Sequence, residues 1–299
     1  MQRLYKAYLL CFLLFVIAGS SSACGPVIID IDDSKEIVDV PQEPQGPQDI
    51  QSWFDYLCSP ELGGRYSGSD GIIKAMNYIS DVIGRSDSLR IDSFSTDKCD
   101  MNNIIYHIKG YSDFLIVLGA HYDAYGYWDN TPLPGADDNM SGVAVLLKTI
   151  KYFQEDKFQP RYSVEIVFFD GEEIGRYGSY HYVEKCTQSI KEYINVDTCG
   201  NKDFGIIVLF DGSSPQMKEE SNSFISMVSG INEYKVSEYN PKGYTTDCEA
   251  FQKKGIPYFF ISNDSYNNYN HSMNDDLRNI SYKRLDCLAI GLNAFLITL

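Results

Sequence analysis

The chain has 299 residues, enough for one sizeable domain with a full core. Its 41 aspartates and glutamates outnumber 25 lysines and arginines, for a formal charge of −16. So acidic a protein repels polyanions, which excludes nucleic acid and anionic membrane surfaces as partners.

Residues 1–23 read as an export signal. Arg3 and Lys6 form a short cationic start, LLCFLLFVIAG at 9–19 is apolar, and small residues lead to Cys24. The residues before Cys24 resemble a bacterial lipobox, with Ser21 where leucine is usual. A lipid on Cys24 is therefore expected, as the only membrane contact of an exported lipoprotein at the periplasmic or cell surface. Residues 24–48 are acidic, rich in proline and glutamine and free of aromatic residues, the composition of a tether. A single folded domain is expected over 49–299.

Within that domain WFDYLCS at 53–59 and DGIIKAMNYISDVIG at 70–84 carry helical spacing. FLIVLGAHYD at 114–123 is an apolar strand with a polar end, and SGVAVLLKTIKYF at 141–153 a helix. VEIVFF at 164–169 is the next strand, and GSYHYVEK begins another helix. INVD at 194–197 and FGIIVLF at 204–210 are strands, PQMKEESNSFISMVSGI a helix, IPYFFIS at 256–262 a strand, and LDCLAIGLNAFLITL a closing helix. Strands alternating with helices predict an α/β fold: a three-layer sandwich with a mostly parallel, mixed sheet and helices on both faces. Beyond Cys11 and Cys24 six cysteines remain: Cys58, Cys99, Cys186, Cys199, Cys248 and Cys287. An even number in an exported protein permits three disulfides. Without a CxxC spacing, thiolate metal sites and thioredoxin chemistry are poor readings.

In a parallel sheet the strands' C-terminal ends converge on one edge, where such folds place their chemistry. Those ends carry His121 and Asp123, then Glu172 and Glu173, then Asp197, with the loop after IPYFFIS reaching His271 and the GADDN turn at 135–139 lying nearby. Imidazole and carboxylate together suit zinc, and a carboxylate shared by two ions marks a two-metal hydrolase. His107 and His181 have no such context and read as structural.

HYD, GADDNMSGVA, FFDGEEIGRYGS, NVDTCG, YTTDCEAFQKKGIP and NHSMNDD, in this order, resemble the co-catalytic zinc aminopeptidases, and so does the opening segment LCSPELGGRYSGSDG. That family includes secreted bacterial leucyl aminopeptidases, and its zinc-exopeptidase (phosphorylase-like) fold also hosts glutaminyl cyclases. The resemblance implies a peptidase catalytic domain over 49–299, two Zn2+ ions and peptide substrates. It implies His121 and Asp197 on one ion, Glu173 and His271 on the other, Asp137 as the bridge in preference to Asp138, Glu172 as general base and Asp123 orienting a ligand. Asp247 matches a family aspartate near the substrate. A one-zinc glutaminyl-peptide cyclotransferase is the alternative, although cyclases usually carry a tryptophan where Asn270 precedes His271, and Trp53 and Trp128 lie elsewhere. A non-catalytic, lipid-anchored binding protein is a minor one. Tyr244, Phe251, Tyr266 and Tyr269 are candidate pocket-lining residues.

Overall fold

The computed structural model describes residues 49–156, 159–228, 234–238, 246–265 and 269–299. The expected export signal, the anchor at Cys24, the tether, Tyr244 and Tyr266 lie outside these residues. Among the described residues no helix is long and apolar enough to cross a membrane.

Helix α1 (Ile50–Leu57) starts where the Asp49 side chain accepts the Ser52 N–H, and it buries Trp53, Phe54 and Leu57. A 3-10 turn over Pro60–Arg65 leads to α2 (Asp70–Ile83), capped in the same way by Ser69. Strands β1 (Leu89–Ser95), β2 (Asp100–Ile108) and β3 (Ser112–His121) follow, then a short hairpin, β4 (Tyr127–Trp128) and β5 (Thr131–Pro132). Next come α3 (Gly142–Asp156), β6 (Tyr162–Phe169), α4 (Tyr177–Lys185), β7 (Ile190–Val196), β8 (Ile206–Phe210) and α5 (Pro215–Met227). The chain closes with β9 (Tyr234–Glu238), α6 (Cys248–Lys253), β10 (Tyr258–Asn263) and α7 (Tyr282–Thr298).

Eight strands form one sheet in the order β1-β2-β6-β3-β7-β10-β8-β9. Its centre, β6-β3-β7-β10, is parallel throughout, whereas β1, β2 and β6 pair antiparallel, as do β10 and β8. The mixed, mostly parallel sheet carries helices on both faces. Alternation along the strands divides the core. Ile116, Leu118 and Ala120 of β3 pack with α1, α2, α3, α5 and α7 on one face. Leu115 and Val117 point to the other, where α4 and α6 contribute Tyr182, Val183 and Phe251. Phe251 is fully buried and stacks on Tyr193 at 3.6 Å, so it belongs to the core rather than to a pocket, and Trp53 is likewise internal. Trp128 and Tyr269 are exposed. All six cysteines of the domain are unpaired; the three disulfides their number permitted are not formed.

The turn before α2 fastens the β4–β5 hairpin. Gly64 has φ +68°, and a Cβ there would meet the Gly126 carbonyl oxygen at 1.9 Å. Only glycine allows both that backbone conformation and that approach. Gly64→Ala is expected to lower stability by about 1–3 kcal/mol from backbone strain alone, read as a fall in the urea midpoint; an unchanged midpoint would show that the turn relaxes freely.

Candidate metal centre

The four parallel strands end side by side. β3 delivers His121 as its last residue with Asp123 just beyond, β6 runs into Asp170, Glu172 and Glu173, and β7 runs into Asp197. The loop after β10 brings back His271 and Asp275. The turn before α3 carries Asp137 and Asp138 across these ends; it opens at Gly135 in the left-handed region and leaves helical geometry at Asp138 (φ −110°, ψ 92°).

Two imidazoles face one carboxylate. His121 Nε2 lies 3.3 Å from Asp138 Oδ1 and 3.6 Å from Asp197 Oδ1. His271 Nε2 lies 3.3 Å from Asp138 Oδ2 and 3.0 Å from Glu173 Oε2. Asp138 thus stands between a His121–Asp197 pair and a His271–Glu173 pair. The other ring nitrogen of His121 meets only acceptors, the Asp123 carbonyl at 3.1 Å and its Oδ1 at 3.5 Å, so Nδ1 carries the proton and Nε2 is presented to the cluster. Tyr125 stacks on the His271 ring at 4.7 Å.

The expected bridging position is corrected by this geometry. Asp137, preferred on the resemblance, turns away: its Oδ1 accepts the Gly200 N–H at 2.7 Å and its Oδ2 accepts from Asn263 Nδ2 at 2.7 Å. It is Asp138, the next residue, whose oxygens reach both histidines. Of the other expected ligands, His121, Glu173, Asp197 and His271 are brought together around Asp138. His107 (3.4 Å from Glu165) and His181 (stacked on Phe94 at 4.1 Å) lie elsewhere.

Behind the cluster, buried groups hold the backbone. Asp123 is fully buried and accepts the Glu172 and Glu173 N–H groups, each at 3.2 Å, one on each oxygen. Ser67 Oγ joins Asp123 Oδ2 (3.2 Å) to Asp170 Oδ1 (2.7 Å). Asp275 accepts the Asp137 N–H at 2.7 Å and the Asp138 N–H at 3.0 Å, again one on each oxygen. Arg65, itself at φ +48°, is buried and donates to four carbonyls: Tyr122 (3.1 Å), Leu57 (2.5 Å), Pro134 (2.8 Å) and Gly135 (2.8 Å). Arg65, Ser67 and Asp275 have no role in the sequence reading; the only signal was their membership in GGRYSG and NHSMNDD, and nothing in either string names its partners.

Burial sets the protonation of the cluster. It pushes Glu172 well above the usual carboxylate range, with Asp247, Asp197 and Glu173 adding to the shift against the pull of His121. Burial likewise lifts Glu173 to about 7, Asp247 to about 7 and Asp170 to about 7. Asp138 goes the other way: burial would raise it, but His121 and His271 hold it far below. Hydrogen bonding to Asp138 and Glu173 lifts His271 to about 11. Burial would lower His121, yet Asp197, Asp123 and Asp138 together keep it well above its ordinary value.

These donors suit a divalent metal. Glu173 Oε1 and Asp197 Oδ1 are buried with no hydrogen-bond partner, an arrangement that is costly unless a cation is near. His121, Asp138 and Glu173 can each aim one donor atom into a common space, with all three atoms within 4.8 Å of one another. Imidazole nitrogen with carboxylate oxygen is a zinc donor set.

The pattern of peptidase family M28 matches residues 103–295. A probable leucine aminopeptidase of Arthroderma otae is 24% identical over 255 residues, covering 77% of this chain and 67% of the relative. A glutaminyl-peptide cyclotransferase of Bos taurus is 22% identical, over 91% of this chain and 86% of its own. The chain thus spans about two thirds or less of the first leucine aminopeptidases it matches, 62% for the one from Trichophyton verrucosum. Among crystal structures, a leucine aminopeptidase precursor of Bacteroides thetaiotaomicron superimposes with a TM-score of 0.67 at 20% identity, over 86% of this chain and 99% of the other. At that identity the likeness establishes the fold.

In the metal-free protein, Glu173, Asp170 and Asp247 hold protons that the unfolded chain gives up near pH 4. The fold then binds more protons than the unfolded chain, so their contribution is full below about pH 4 and is lost as pH rises through about 7. His271 acts in the same sense above about pH 6.5. The urea midpoint of metal-free protein is expected to fall between pH 5 and pH 8, and zinc to restore more stability at pH 8 than at pH 5. A midpoint that rises over that interval would contradict these assignments.

Proposed function

The chain belongs to peptidase family M28, and from that footing we propose that it is a zinc-dependent aminopeptidase that hydrolyses the N-terminal residue from peptides. The observation that carries this reading is the placing of Asp138 between two imidazole–carboxylate pairs, a donor set for two ions sharing one carboxylate. His121 and Asp197 would hold one ion, Glu173 and His271 the other, and Asp138 both. Zinc bound there would supply Lewis acidity toward the peptide carbonyl and lower the pKa of a water.

The chain's own residues do the rest. Glu172 is left out of both pairs and is fixed through its backbone N–H by Asp123, so it is free to act as the general base. Its burial beside Glu173, Asp197 and Asp247 raises its proton affinity, which suits a group that must take a proton from water and pass it to the leaving amine. The carboxyl-rich wall favours a substrate that presents a cationic amino terminus, as an exopeptidase substrate does.

A second reading, glutaminyl-peptide cyclotransferase, is favoured by the extent of the match to the bovine cyclotransferase, which covers more of both chains than the match to the aminopeptidase of Arthroderma otae. In that chemistry Glu172 would move a proton from the α-amine to the departing ammonia.

Glu172→Gln is expected to retain zinc and lose about 10²–10⁴-fold in kcat, measured on aminoacyl-nitroanilides alongside metal content. A Gln-initial peptide separates the two readings: release of free glutamine with the shortened peptide supports the aminopeptidase, and pyroglutamyl peptide with ammonia supports the cyclotransferase. Full activity of Glu172→Gln removes Glu172 from the mechanism.

A further inference from the structure

The two turns that carry the carboxylate donors have the same construction. Glu172 and Glu173 are consecutive, and their N–H groups are taken by the two oxygens of one buried carboxylate, Asp123. Asp137 and Asp138 are consecutive, and their N–H groups are taken by the two oxygens of another, Asp275. The holder comes from a different strand end in each case. Asp275 adds a third link, its carbonyl accepting the Ala136 N–H at 3.2 Å. It is 3% exposed, and the turn it grips is internal, with Asp137 at 1% and Asp138 at 8%.

That grip, with Asn270 Nδ2 donating to Asp138 Oδ2 at 3.2 Å, decides where Asp138 points. The turn leaves helical geometry at Asp138, so helix propagation does not fix this residue, and its N–H would be an orphan donor without Asp275. Asp275 also sits four residues beyond His271, in a loop closed on itself by the Asp275 N–H to the Ser272 carbonyl at 3.1 Å. One side chain therefore ties the loop of His271 to the turn of Asp138, whose side chains meet at 3.3 Å.

We infer that Asp275 is a positioning residue of the metal centre, which sets the Asp138 carboxylate and His271 in register by gripping two successive N–H groups of the Asp138 turn. The inference rests on the zinc reading of this site. It makes Asp275 the counterpart of Asp123: one carboxylate holds the turn of the base and one donor, the other holds the turn of the shared donor. Each acts through the backbone N–H groups it accepts.

Asp275→Asn keeps the shape, but one oxygen becomes an NH2 that faces a backbone N–H, so one of the two grips is lost. Zinc affinity, read by competition with a chelating dye, is expected to weaken about 10–100-fold. Glu165→Gln is the control, a buried carboxylate that holds Arg90 and Tyr182 away from this site; it should lower the urea midpoint and leave zinc affinity unchanged. Equal zinc affinity in Asp275→Asn and wild type overturns the inference. If Asp275→Asn does not fold, Asp275→Glu keeps both acceptors and displaces them by a methylene; weakened zinc binding by the folded variant supports the inference and wild-type affinity overturns it. Wild-type protein that binds no zinc would instead sink the metal reading, which separates the two failures.

Discussion

Like-charge crowding at the C-terminal edge of the sheet is the constraint on which the rest of this structure depends. Asp123, Asp137, Asp138, Asp197, Asp247 and Asp275 are all buried there, beside Glu173 and around two imidazoles. At an effective dielectric near 20, two unit charges 4 Å apart interact by about 4 kcal/mol, so several bare carboxylates cannot share this space. The molecule answers with protons on some, imidazolium beside others and backbone N–H groups on a third set. Where those run out, at Glu173 Oε1 and Asp197 Oδ1, acceptors face inward with nothing to accept.

That division of labour separates two kinds of buried carboxylate. Asp123, Asp137 and Asp275 turn their oxygens to N–H groups and stabilise loops. Asp138, Glu173 and Asp197 turn theirs to imidazole or to each other's neighbourhood and leave the backbone to others. A carboxylate that accepts from backbone is explained by folding; one buried against other acids has to be explained by what it will bind.

The parallel core was legible because β3, β6 and β10 are buried on both faces and carry the apolar runs FLIVLGA, IVFF and YFFI, whereas β7, IKEYINV, showed only its INV end. Strands β1 and β2 were not, since LRIDSFS is half-exposed at the sheet edge and DMNNIIYHI begins polar, so neither shows a clear period. The partly exposed edge strand β9 and the two-residue strands of the hairpin left no signal either. Within the site the residue types and their order could be read, whereas the choice between Asp137 and Asp138 could not. Two adjacent aspartates in an irregular turn point in directions set by local dihedrals and by Asp275, more than a hundred residues away, and no spacing rule carries that information. Arg65 was hidden for a similar reason, because its partners are carbonyls, which every residue has.

Arg65 bears on how the molecule comes to be finished. Its guanidinium joins a segment near the start of the described chain to the loops at 122 and 134–135, and Asp275, near its end, grips the turn that follows at 136–138. The centre is thus made of contacts between residues far apart along the chain, the kind that form slowly and late because loop closure must precede them. A growing polypeptide holds Asp138 long before it holds His271 and Asp275, the donor beside it and the carboxylate that grips its turn. Competence to capture a metal therefore waits on residues from both ends of the domain, the same ends whose helices, α1 and α7, pack the core against β3.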